Sequence, residues 1–231
     1  MSTQYAFGKI VTNGLVLALD AADRNSYVSG STTWFDLSGN NYTGSLTNGP
    51  TYTGSNGGFI NFDGVNDYIV LGPILNYTSE NFSFSYWVNF NSFTTNRGGQ
   101  GPVVIYKGSY SANGYYDQMG SNGSITFVSN QPAAAVTSTG AGVIATGSWY
   151  NVAHVRNGTS VRIYVNGVDQ TQTSGSHGTI NGNSTNFTVA TYAFGYICGN
   201  LKLSSMLTYN RALSQQEVLQ NYNAQKARFG L

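Results

Sequence analysis

Residues 82–90 alternate strictly: Phe82, Phe84, Tyr86, Val88 and Phe90 share one side of an extended chain, and Ser83, Ser85, Trp87 and Asn89 share the other. Aromatic residues stand on both sides, so the segment predicts a central strand. The same period of two runs through residues 149–156, where Trp149, Asn151, Ala153 and Val155 oppose Tyr150, Val152, His154 and Arg156. Residues 160–171 then predict a hairpin turning at Asn166-Gly167, a dipeptide that takes positive φ at both central positions of a type I′ turn. Its strands are expected at 161–165 and 168–172. Others are expected at 15–19, 59–62, 68–71, 103–107, 115–118, 124–129, 187–190, 194–197 and 201–208.

Helical spacing occurs once. Ser214 and Glu217 have the separation of a capping box, and Val218, Leu219 and Tyr222 follow at helical spacing toward Arg228. That stripe docks either on the strands or on a neighbouring subunit. Short strands divided by Gly and Asn clusters, with one terminal helix, predict an all-β, antiparallel two-sheet sandwich. The expected organisation is an N-terminal docking segment at 1–13, the sandwich at 14–213, and a C-terminal helix and tail at 214–231. The longest stretches without a strand pattern, 91–101 and 130–142, are expected to be loops at a sandwich end, where binding usually sits.

Composition narrows the function classes. Charged residues are 8% of the 231-residue chain and the formal net charge is +1, so nothing marks a nucleic-acid or anionic-membrane surface. Hydrophobic residues at 40% and aromatic residues at 14%, without a long apolar run, point to a folded, soluble protein with no membrane insertion. Its surface must then be solvated by Asn, Ser, Thr, Gly and Tyr. Such a surface fits a turn-rich β-protein, and it also has the chemistry of a binding paratope. The N-terminal residues show no secretion signal, and Cys198 has no partner cysteine, which fits synthesis in a reducing cytoplasm.

The chain offers little for catalysis. Glycan hydrolysis needs two carboxyl groups about 5 to 9.5 Å apart. The only glutamates are Glu80, at a strand entrance, and Glu217, in the capping box; the near pair Asp63 and Asp67 reads as turn stabilisation. No G-x-S-x-G elbow or phosphate loop occurs, and one Cys with two distant His cannot build a zinc site. His154 reads as a packed mid-strand residue and His177 as a solvated loop residue. The chain is therefore expected not to be an enzyme. Glycan binding is a different matter, since Trp34, Tyr42, Tyr52, Tyr110, Tyr115 and Tyr116 lie in or near expected loops and each could present an aromatic face to a sugar. The alternative for each is a half-buried aromatic at a strand end. Tyr5, Phe7, Ile10, Tyr222 and Phe229 are apolar positions beyond the strand-forming body and are candidates for docking to other subunits.

Five segments carry a family resemblance: W-F-D-L-S-G-N-N at 34–41, F-D-G-V-N-D-Y-I-V at 62–70, W-Y-N-V-A-H-V-R at 149–156, the hairpin, and L-T-Y-N-R-A-L-S-Q-Q-E at 207–217. Together, over roughly 14–219, they resemble the concanavalin A-like or laminin G-like jelly roll. The resemblance implies a fold shared by lectins, glycan hydrolases, adhesion modules and virion proteins. The hydrolase branches usually carry E-x-D-x-E or a close variant on one strand, and this chain has none. Laminin G-like relatives often bind calcium through the D-x-S-G-N loop and an acidic segment before Y-N-R-A-L. Here Asp36 and Asp63 are the candidate ligands, but Ser204 and Ser205 stand where the acidic pair would fall, so no cofactor beyond weak calcium is expected. The closing residues 213–231 resemble the ends of laminin G-like structural proteins of phages. This implies a capsid decoration, fibre or tail-associated subunit on the virion surface of a tailed bacteriophage. Its partners would be other virion proteins, copies of itself and host surface glycans. The competing expectations are a free carbohydrate-binding or adhesion module and a glycoside hydrolase whose acids are unrecognised.

Overall fold

The computed structural model describes residues 8–98, 100–109, 112–130, 134–193 and 195–231. Tyr5, Phe7 and Tyr110 lie outside them. In chain order the strands are β1 Leu15–Asp20, β2 Thr33–Trp34, β3 Gly44–Thr47, β4 Thr51–Thr53, β5 Phe59–Asp63, β6 Tyr68–Val70, β7 Phe82–Thr95, β8 Ile105–Ser109 and β9 Asn113–Met119. They continue with β10 Ile125–Ser129, β11 Ala135–Thr139, β12 Trp149–Asn157, β13 Ser160–Val165, β14 Val168–Asp169, β15 Thr171–Thr173, β16 Phe187–Val189, β17 Thr191–Tyr192 and β18 Ile197–Tyr209. Helix α1, Gln215–Gln225, follows, and a 3-10 turn, Lys226–Phe229, runs on from it.

The strands form two antiparallel sheets. The first has the order β14-β13-β12-β7-β18-β5-β4, with β1 and β17 also paired to β18. The second runs β15-β11-β10-β9-β8-β16-β6-β3-β2. Between them lies the main core, to which β7 gives Phe82, Phe84, Tyr86, Val88 and Phe90 and the second sheet gives Ile105, Tyr115, Phe127, Phe187 and Val189. Phe84 and Phe187 stack across the gap at 5.9 Å and 4°. The hairpin turns where the sequence places it: Val165 pairs with Val168, and Asn166 and Gly167 have φ of 52° and 80°.

The other side of β7 is covered by the chain's own C-terminus. Trp87 is fully buried, with Phe229 stacked on it at 4.1 Å and Tyr222 at 5.7 Å, while Phe229 also meets Trp149 at 4.8 Å. The capping box forms as expected, and Arg211 grips Glu217 through both carboxylate oxygens at 2.6 and 2.8 Å. That pairing, chiefly, draws the Glu217 carboxyl down to about 2. The helix therefore docks on its own sandwich, and Tyr222 and Phe229 are corrected from docking candidates to packing residues. Ile10 is corrected likewise, because it packs against the cluster of Val11, Tyr209, Leu213 and Val218. A polar chain fixes this segment: Asn221 accepts from the Val11 N–H at 2.8 Å and donates to the Tyr209 hydroxyl, which donates to the Val11 carbonyl at 2.9 Å. Leu219, expected in the buried stripe, is exposed.

Several further expectations change. β7 runs on past Phe90 to Thr95, and Ala135–Thr139 is a strand inside the stretch expected to be a loop. Of the strand expected at 194–197, Gly195 and Tyr196 are instead turn residues between β17 and β18, with Ala193 and Gly195 at φ of 53° and 88°, and Ile197 opens β18; Phe194 lies outside the described residues. His177 is not solvated. It is fully buried, with its ring nitrogens 2.7 Å from Ser129 Oγ and 2.8 Å from Thr137 Oγ1, and burial, aided by the nearby Arg156 charge, lowers its pKa to about 4.

Candidate functional site

Among the described residues, no helix covers the outer face of the second sheet. On β9, Tyr115, Asp117 and Met119 turn inward, so Tyr116 and Gln118 turn outward. On the neighbouring strands the same alternation turns Tyr106 and Thr126 outward, and the register sets Tyr106 beside Tyr116 and Gln118 beside Thr126. Tyr192 of β17 closes on this row, with its ring 4.6 Å from Tyr106 and 5.1 Å from Tyr116, the latter edge-on at 82°. Tyr116, Gln118, Thr126 and Tyr192, with Phe93 and Thr94 from the far end of β7 and the chain around Gln100 and Ser121, line a groove of about 460 Å³, and Tyr106 lies buried beneath its rings. That volume falls within the range of about 300–1,000 Å³ usual for small-molecule sites.

Two local features shape the groove. At Gly101 the backbone passes so close to Met119 that a Cβ would fall 1.5 Å from its carbonyl oxygen, so only glycine fits this wall. Tyr106 is buried beneath the other rings, and its hydroxyl has no hydrogen-bond partner among the described residues. Burial, with a smaller contribution from Tyr116, pushes the Tyr106 phenol up to about 12, so it remains a neutral donor over the physiological range. Among the described residues the lining has aromatic, amide, hydroxyl and thioether side chains and no charged one.

Behind the groove floor lies a sealed polar cluster. Asp117 Oδ1 accepts from the backbone N–H groups of Val104 and Ile105 at 2.8 and 2.9 Å, and Oδ2 accepts from the Tyr86 hydroxyl. His154 Nε2 lies 3.3 Å from the same oxygen and 3.2 Å from the Tyr86 oxygen. Burial, reinforced by the Asp117 charge, holds the Tyr86 phenol well above its ordinary value. Tyr86 and His154 belong to the first sheet and Asp117 to the second, so the cluster ties the two layers together. All three are buried, which closes them to a substrate.

The residues singled out from the sequence are dispersed. Of the candidates among the described residues, only Tyr116 stands in the groove. Trp34 and Tyr115 are corrected to core residues, both fully buried, with the Tyr115 hydroxyl donating to the Leu75 carbonyl at 2.8 Å. Tyr52 and Tyr42 are half-buried and line separate shallow grooves, Tyr52 beside Tyr27 and Tyr42 beside Tyr77. Asp36 is saturated by the protein itself: its carboxylate accepts from the N–H groups of Ala18, Ser38 and Tyr42 and from the Ser38 hydroxyl. Asp63 accepts from the Val65 N–H at 2.7 Å, and its own N–H donates to Asp67. Ser204 and Ser205 are buried, Ser204 donating to the Gly58 carbonyl and Ser205 bonding Gln225. Among the described residues no group of three or more His, Cys, Asp and Glu side chains could hold a metal ion. The sequence reading missed Gln118, Thr126, Phe93 and Tyr192. The alternation of β9 could have revealed the first, whereas nothing local marks Tyr192.

Comparison with known proteins agrees with this architecture. A laminin G-like model of the concanavalin A-like lectin/glucanases superfamily matches residues 63–219, and the chain belongs to that family. No curated protein matches it. Among solved structures, the binding domain of Paraclostridial Mosquitocidal Protein 1 is similar with a TM-score of 0.72 at 17% identity, over 92% of this chain and 52% of that one. Domain 4 of AbnA, a GH43 extracellular arabinanase from Geobacillus stearothermophilus solved with arabinotriose, gives 0.66 at 19% identity, over 90% of this chain and 98% of that one. The binding domain of botulinum neurotoxin serotype D gives 0.68 at 14% identity, over 93% and 53%. The chain thus spans about half the length of the toxin binding domains. These likenesses show a shared lectin-like jelly roll.

Proposed function

We propose that the chain is a non-enzymatic carbohydrate-binding module that takes glycans in the groove on the open face of its second sheet. The observation that carries this reading is the juxtaposition of Tyr116 and Tyr192 with the amide of Gln118 and the hydroxyl of Thr126. Aromatic rings offer rigid apolar faces to the C–H side of a sugar, and amides and hydroxyls answer its ring of hydroxyl groups. The described lining has no carboxyl group, whereas glycosidic cleavage uses a pair about 5 to 9.5 Å apart. The arabinotriose held by the AbnA domain shows that a protein of this fold can take a short glycan. The test is a glycan array followed by calorimetry on the wild type and Tyr116→Ala. Binding that weakens by about tenfold or more, equal to about 1.4 kcal/mol, supports the site. Hydrolysis of any bound glycan would overturn the non-enzymatic part.

A second reading places the module on the virion of a tailed bacteriophage, as a capsid decoration, fibre or tail-associated subunit. The observation favouring it is the separation of the two outer faces: residues 9–13 and α1 lie on the first sheet and the groove on the second. A subunit held through the first face would turn its groove outward. Truncation to residue 8 removes Tyr5 and Phe7 and spares Val11, which the helix needs. Reduced incorporation into particles supports docking through that segment, and absence of the full-length chain from purified virions rejects the virion reading.

A further inference from the structure

We infer that the glycan taken by this groove is neutral, and that sugars carrying a carboxylate, such as sialic or uronic acids, are excluded by its chemistry. The inference rests on the glycan-binding reading and adds the class of ligand to it. Among the described residues, the lining contains no Lys, Arg or His that could meet a sugar carboxylate. A carboxylate brought in would lose water and gain only neutral donors, where such groups are ordinarily held by charge-assisted, often bidentate, pairs.

The surroundings reinforce the preference. Arg97 is the nearest cation along the chain, on the turn between Thr94 and Gln100. It is occupied, however: its guanidinium lies 4.2 Å above the Tyr196 ring and its Nε donates to the Tyr196 carbonyl. Asp117 lies between the groove residues Tyr116 and Gln118 and faces the core behind them, and it is the acidic group of that strand. A buried carboxylate behind the floor sets a field that disfavours a second negative charge in front of it. Every polar feature of the groove thus suits a ligand whose recognition is by hydroxyl groups alone.

The experiment uses the full chain on an array printed with matched pairs: lactose and sialyllactose, galactan and oligogalacturonate oligomers, with arabinotriose and neutral glucan oligomers beside them. The strongest neutral ligand and its acidic counterpart are then titrated by calorimetry at low and high salt, with Tyr116→Ala and Arg97→Gln as variants. Neutral glycans should bind and their acidic counterparts should bind at least about tenfold more weakly. The neutral affinity should be unchanged by salt and by Arg97→Gln, and should fall at least about tenfold in Tyr116→Ala. Acidic glycans binding as well as neutral ones, through Arg97 and with salt sensitivity, would overturn the inference while leaving the glycan reading intact. Failure of every glycan to bind, or binding untouched by Tyr116→Ala, would reject the groove as a glycan site and the inference with it.

Discussion

The outer faces of the two sheets begin alike and end differently. Both carry aromatic side chains in strict alternation with core residues: Trp87 on the first sheet, and Tyr106 and Tyr116 on the second. On the first sheet the chain returns, and Phe229 and Tyr222 stack on Trp87 and seal it from water. On the second, Tyr192 of β17 covers Tyr106 but no helix among the described residues covers the sheet, and Tyr116 is left bordering a groove. Alternation alone says which residues leave the core. Whether an outward aromatic becomes a second core or a contact surface is decided by a distant segment.

The largest expected effect tests the covered face. Trp87→Ala should cost about 3–5 kcal/mol in urea unfolding, since a large buried ring is lost together with the packing of α1. Tyr116→Ala should cost far less and should act on glycan binding instead. Equal losses from the two would erase the distinction between the faces. Acid should separate them next. With its folded pKa lowered to about 4 from the ordinary 6.5, His177 favours the folded state fully above pH 6.5, and that contribution is lost as pH falls toward 4, on the order of 3 kcal/mol. Glu217, lowered from 4.5 to about 2, keeps its contribution above pH 4.5 and loses it only as pH falls toward 2. Hydrogen exchange near pH 5 should therefore show β10 and β11 of the open sheet loosening while α1 stays protected. Loosening of α1 first would contradict this order.

A smaller effect is expected at the hairpin beneath the helix. Gly167 has φ of 80°, and an added Cβ would lie 2.8 Å from Leu219 Cδ1, so Gly167→Val should cost about 1 kcal/mol or more by thermal unfolding. The smallest concerns calcium. With the Asp36 carboxylate filled by the protein's own donors, millimolar Ca²⁺ and chelator should give the same melting temperature, whereas a site at a hundred times its dissociation constant would add about 2.7 kcal/mol. A rise of several degrees would reinstate Asp36 or Asp63 as a ligand.

Most of the sandwich is legible where local pattern and tertiary role agree. β7, the Asn166-Gly167 hairpin and the Ser214–Glu217 box follow from alternation, turn chemistry and capping, each contained within a few residues. β11 escapes because Ala135, Val136, Thr137, Ser138 and Thr139 are too small and polar to declare a strand; pairing with β10 and β15 holds them extended. β2, β3 and β4 escape for the same reason, being short and supported by neighbours. His177 reads as polar loop because its Ser and Gly neighbours do, yet Ser129 and Thr137 supply both partners from other strands. The groove is the extreme case, since Phe93, Gln118, Thr126 and Tyr192 meet only through the sheet order.

The cluster of Tyr86, Asp117 and His154 fixes more than the spacing of two layers. Asp117 occupies the residue between Tyr116 and Gln118, so anchoring its carboxylate to β7, β8 and the neighbourhood of β12 also anchors the peptide planes that aim those two side chains. A ligand arriving at the groove meets a floor already held in place. Less freedom then remains to be lost on association, and a modest set of neutral contacts can suffice for recognition because the surface presenting them is preorganised.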